Sequence, residues 1–309
     1  GGTLADAIAA GTNHTYVDGQ VANVSVLNAK ATSTNTADAV AETTSGGLLG
    51  VGGSKATAQV TNITKSGGGS TANIGVAGIA TFDATSTSTA KAEAEGDAAG
   101  LVGVGGTDAD ATVNSTTKAY MDGAFTDGSL ELNANAINDA QADTSATSAG
   151  LGAVSGAESN ADIAAVTEAG VGSTGHLSNS GYITVNSTAT STADALADGQ
   201  TVGFAGVGTT DADASVNGHT KAYMDGVVTD ASNLTIVADA TNTADADANA
   251  STAAFGGASG ADATADVDPT VTAQVGSTGQ VTARGAVSVV ANATNTASAD
   301  ADGRAITIA

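Results

Sequence analysis

The sequence predicts an all-β chain wound into a parallel β-helix, or β-solenoid, with a narrow core of Ala, Val, Gly and Thr. Three observations carry the prediction: an internal repeat, long stretches of period-two alternation, and a composition too poor in large apolar side chains for a thick core.

The repeat is read from two markers. Lys118-Ala119-Tyr120-Met121-Asp122-Gly123 returns 103 residues later as Lys221-Ala222-Tyr223-Met224-Asp225-Gly226, and His14-Thr15-Tyr16-Val17-Asp18-Gly19 precedes it by 104. Gly69-Ser70-Thr71 returns as Gly172-Ser173-Thr174 and Gly276-Ser277-Thr278. The chain therefore reads as one continuous solenoid, 1–309, of three repeats of about 103 residues at approximately 1–104, 105–207 and 208–309. Each repeat divides into halves of about 52 residues, since Gly128-Ser129-Leu130-Glu131-Leu132-Asn133 aligns with Gly181-Tyr182-Ile183-Thr184-Val185-Asn186.

Alternation of the kind seen in Asp108-Ala109-Asp110-Ala111 and Ala244-Asp245-Ala246-Asp247-Ala248 marks a strand with one buried face. Ala favours helix by propensity, but alternate Asp around a helix would leave no apolar stripe, so the pattern decides for strand. In Thr34-Asn35-Thr36-Ala37-Asp38-Ala39 and its copies from Thr87, Thr190, Thr241 and Thr294, Thr and Asp share the outer face and Ala the inner. Ile137 and Asp139 interrupt this threonine ladder in the remaining half-unit.

Composition fits a thin core. Of the 309 residues 41% are hydrophobic, mostly Ala and Val, while aromatics are 3%, Trp is absent and Gly numbers 41. Small side chains fill only a narrow gap at normal packing density. High charge with few large apolar groups is also the signature of disorder, but the single proline, Pro269, and the long alternations argue against it.

Turns are expected at Asp18-Gly19, Asp122-Gly123, Asp127-Gly128, Asp198-Gly199, Asp225-Gly226 and Asp302-Gly303, where glycine accepts positive φ. Two coils of about 26 residues per half-unit are expected, twenty-odd residues being a common coil size; the alternative is one wide coil per half-unit.

With 32 acidic and 8 basic residues the formal charge is −24. That excludes nucleic-acid binding, which needs a basic stripe, and repels anionic membranes; no apolar run is long enough for membrane insertion. Cysteine is absent, so disulfides say nothing about compartment.

The cycle of Lys118-Ala119-Tyr120, an Asp-Gly pair, the Leu130/Leu132 alternation and the glycine-rich stretch from Gly150 to Gly156 resembles repeats of filamentous haemagglutinin-like and leukotoxin-like bacterial surface adhesins. The resemblance covers all six half-units and implies a right-handed parallel β-helix, exported and displayed as a fibre, with no catalytic residues.

No residue is nominated as catalytic, cofactor-binding or metal-ligating, and the chain is not expected to be an enzyme. His14, His176 and His219 have no Cys beside them for a zinc site, and His14 and His219 read as exposed turn residues. Gly67-Gly68-Gly69 lacks the Lys of a phosphate loop. Stacked carboxylates could be bridged by calcium, but complete calcium-loop patterns are missing, Asp108 with Asp110 is only a fragment of one, and staggered hydrated Asp is the expectation. Asn-x-Ser/Thr at Asn13, Asn23, Asn62, Asn114, Asn186, Asn233, Asn249 and Asn292 leaves room for glycans.

The expected function is structural: a component of an extracellular bacterial filament or fibrous surface adhesin. Gly1-Gly2-Thr3-Leu4-Ala5-Asp6-Ala7 matches Gly105-Gly106-Thr107-Asp108-Ala109-Asp110-Ala111, so the ends are in phase, and Gly1 of one copy is expected to stack on the Ala309 end of another. The rivals are a fragment of one giant chain of further repeats, and a binding module for ice through the threonine ladder, for calcium through the Asp rows, or for a host receptor.

Overall fold

The computed structural model describes residues 1–307, so Ala309 lies outside the described residues. Strands are the regular structure throughout, and every ladder is parallel.

Register fixes the coil. Ser33 pairs with Ser86, and Ser88 with Asn138, so each turn of the chain takes up a whole half-unit. The sequence is thus wound as one wide coil per half-unit, correcting the expectation of two small ones. Two successive coils, the second slightly shorter than the first, make up the full repeat. Six layers result, and five steps of about 4.8 Å give a stack roughly 24 Å tall.

Each coil is a flattened loop. Its outgoing face, residues 79–99 in the second coil, packs against the return face, residues 104–121, and a short face, Ala124–Thr126, closes the wide end. The narrow end is a glycine-rich tip, residues 100–103, through which the strand Asn73–Val113 passes without interruption. At about 3.3 Å per residue the outgoing face is roughly 65–70 Å wide, so the six layers form a thin plate rather than a slender rod.

Between the two long faces the core is as thin as composition requires. Ala37, Ala39 and Ala41 meet Ala56, Ala58 and Val60, and the same positions repeat upward to Ala244, Ala246 and Ala248. A second cluster at the wide end holds the larger side chains, among them Ile74, Phe82, Met121, Phe125, Leu130 and Leu132.

A polar seam separates the two clusters, so the interior is not purely methyl and backbone. Asn62 donates to Ser33 Oγ at 2.9 Å, Ser88 donates to Asn62 at 3.1 Å, and Ser115 donates to Asn138 at 2.8 Å. Ser and Asn are close enough to Ala and Val in size to fill the same gap, and hydrogen bonds across it offset the cost of burying them.

Corners depart from the Asp-Gly expectation. Among the described residues, only Gly128 of those glycines has positive φ, at 73°, following Asp127 at 61°. Asn179 and Asp230 occupy the matching corner of later coils with φ of 49° and 63°, Asp and Asn being the side chains that best tolerate this region. Asp198-Gly199 and Asp302-Gly303 are not turns; they lie within strands Tyr182–Val216 and Val287–Thr307. Gly123 does sit at a corner, required by close approach: a Cβ there would run into the Ala72 carbonyl oxygen.

Candidate functional surfaces

The corner between return and short faces carries the sequence markers, and its geometry explains why the side-chain period is two coils. Stacked at one position are Tyr16, Gly67, Tyr120, Gly170, Tyr223 and Gln274. Each interior tyrosine reclines over the glycine of the layer before it. A Cβ on Gly67 would lie 2.5 Å from the Tyr120 ring, and one on Gly170 the same distance from the Tyr223 ring.

The rings reach two layers back. Tyr120 Oη lies 2.8 Å from His14 Nε2, and Lys118 Nζ lies 5.7 Å from the centroid of the Tyr223 ring. Lys118 also pairs with Glu168 at 3.1 Å, and His219 Nε2 is 3.2 Å from the same carboxylate. Burial works against the Lys118 charge, yet Tyr223 and Glu168 outweigh it and hold the ammonium above its usual range. Burial likewise pushes Glu168 up, but Lys118 prevails and the carboxyl ends below its ordinary value.

Two residues beyond each tyrosine an aspartate locks to the layer after it. Asp18, Asp122 and Asp225 lie where a Cβ on Gly69, Gly172 or Gly276 would fall, and the Gly172 N–H donates to Asp122. Thr71, Thr174 and Thr278 donate to the backbone oxygens of the same aspartates at 2.8, 2.7 and 2.8 Å. Tyrosine backward and aspartate forward make an interlock that tells odd layers from even ones. Sequence reading found both markers without their relation, because the partners lie a full coil apart along the chain and are glycines.

His14 and His219 lie in strands Gly2–Val17 and His219–Met224, not in turns, and His176 opens the short strand His176–Ser178. The three histidines belong to different layers and do not converge.

The acidic residues stack rather than stagger. Lys55, Asp108, Glu158, Asp211 and Asp262 form one outward column on the return face, along a groove of about 750 Å³. Lys55 bonds Asp108 at 2.6 Å and Asp110 at 2.7 Å, which raises its pKa. Glu158 and Asp211 are pushed up, first by partial burial and then by neighbouring carboxylates. Among the described residues no three His, Cys, Asp or Glu side chains are grouped to hold a metal ion.

Threonine columns occupy the outgoing face as the alternation predicts. Thr34, Thr87, Ile137, Thr190, Thr241 and Thr294 stack in register, with Thr36, Thr89, Asp139, Thr192, Thr243 and Thr296 beside them. Of the glycosylation sequons, Asn62 is inside the plate and only 1% exposed.

The tip bears an uncharged ridge that sequence reading passed over: Leu48, Leu101, Leu151, Phe204 and Phe255, all exposed, with the two phenyl rings stacked at 5.1 Å. Comparison with family models, curated proteins and solved structures finds no match.

Proposed function

We propose that this chain is a non-catalytic structural component of an extracellular bacterial filament or fibrous surface adhesin, built by end-to-end stacking of solenoid layers. The observation that carries the proposal is the condition of the outermost described layers. Ala5, Ala7 and Ala9 at one end and Ala261, Ala263 and Ala265 at the other belong to the alanine core yet are only partly covered. Strand Gly2–Val17, and the stretch 256–267 of strand Asn233–Val267, have a ladder partner on one side only among the described residues. Unpaired parallel edges of this kind template the next strand, and a further layer, from a second copy or from more repeats of the same chain, would bury both edge and alanines.

Carboxylates on the flat faces keep neighbouring stacks apart and direct association to the ends. Sedimentation and electron microscopy of the purified chain test the reading. Linear particles that lengthen with concentration are expected; a monomer at all concentrations refutes stacking of copies.

A second reading rests on the threonine columns, whose spacing of about 4.8 Å between layers and about 6.6 Å along the strand gives a regular hydroxyl array for ordering water at an ice surface. Absence of thermal hysteresis would remove it. Calcium between stacked carboxylates is tested by chelator, which would lower the melting temperature.

A further inference from the structure

We propose that Gln274 sets the strength of the end-to-end junction, because it stands where an incoming Tyr16 needs a glycine. The inference rests on the stacking reading above and gives its partner, a second copy, a specific point of misfit.

Inside the stack every tyrosine of the corner column has the same seat. Tyr120 lies over Gly67 and reaches His14; Tyr223 lies over Gly170 and approaches Lys118. Tyr223 is consequently only 7% exposed, whereas Tyr16, in the first layer, is 56% exposed and has no such seat among the described residues. At the opposite end half of a seat is ready. Lys221 Nζ lies 4.6 Å from the centroid of the Tyr223 ring, in the layer that corresponds to those of His14 and Lys118. The other half is altered, since the layer that should offer glycine offers Gln274.

A copy added in register would bring Tyr16 down over position 274 toward Lys221. At Gly67 and Gly170 a Cβ would come within 2.5 Å of the ring, closer than real Cβ contacts, and at Gly67 within 2.5 Å of the Tyr120 carbonyl as well. The Gln274 Cβ is fixed to its backbone and cannot swing aside. Ring and layer must therefore shift, leaving the junction its backbone ladder and alanines but not its tyrosine lock. The junction becomes the weakest interface in the stack, where a filament of copies breaks or stops growing.

The test is sedimentation of wild type, Q274G and Q274A across concentration. Relief of an overpacked contact is expected to lower the concentration of half-association about tenfold or more in Q274G. Q274A, which keeps the Cβ, stays near wild type, and adding Y16A to Q274G cuts the gain back to that of Y16A alone, since the seated ring is lost while the clash stays relieved. Y16A alone, at the other end of the molecule, relieves the same clash and tightens the junction without any change at 274. Wild type associating as tightly as both Q274G and Y16A overturns the role of Gln274 and leaves stacking intact. Q274A matching Q274G overturns the Cβ argument. No association of any variant overturns both the inference and the stacking.

Discussion

Replacing Gly170 with alanine puts a methyl carbon 2.5 Å from Cε1 and Cζ and 2.6 Å from Cδ1 of Tyr223, inside the distance at which carbon atoms repel. The ring is almost fully covered, so it has no free volume into which to retreat, and displacing it also withdraws its contact with Lys118. Overpacking of this kind costs about 1–3 kcal/mol, and loss of the aromatic contacts places Gly170→Ala near the upper part of that range. Gly152→Ala is the matched control, since nothing lies within 4 Å of its added carbon, and it should stay within about 0.5 kcal/mol of wild type. Urea denaturation followed by far-UV circular dichroism reads the difference, with midpoints compared because a repeat stack need not unfold in one step. In a Tyr223→Ala background the alanine at 170 should cost little, as the ring it strikes is gone. Equal midpoints for Gly170→Ala, Gly152→Ala and wild type would refute the interlock.

Partial burial raises the pKa of Asp143, Glu158, Asp194, Asp211 and Asp247, so the folded chain binds these protons more tightly than the unfolded one. Stability should therefore rise as pH falls from neutral toward the ordinary carboxylate range, with Glu168, whose lowered pKa has the other sign, acting in opposition; a melting temperature that falls steadily over this interval would count against the partial burial of these carboxyls. Asn138→Leu removes the acceptor of Ser115 and the donor to Ser191 inside the plate, and should cost about 1–3 kcal/mol in the same denaturation assay, whereas Asn114→Leu, exposed, should cost almost nothing. Lys55→Gln leaves Asp108 and Asp110 without their cation; because the pair is well exposed the loss should be below about 1 kcal/mol and should shrink in high salt, and a loss independent of salt would mean packing rather than charge.

Face assignment and register were legible in the sequence, and the reason is local. Period-two alternation says which residues share a side of a strand, and the small size of Ala, Ser and Thr on the inner side says how thin the gap must be. Aligning the half-units by their Thr-x-Thr-Ala motifs even gave the true stacking partners, Thr34 on Thr87 and Thr241 on Thr294, because identical layers in a parallel solenoid pair at identical positions.

Coil size was not legible, since alternation carries no mark of where a chain of small residues bends. Asp198-Gly199 has the composition of a turn and runs straight through a strand, while the tip at residues 100–103 folds the chain back within one continuous strand, its ladder skipping only Leu101 on one side and Gly100 and Leu101 on the other. Nor could sequence say what the two-coil period is for. Only in three dimensions does Tyr120 lie over Gly67 and Asp122 against Gly172, and only there does an absent side chain become the partner of a present one. Alternation determined the layers; contact between layers, where a ring needs empty space above its neighbour's backbone, decided how they are paired.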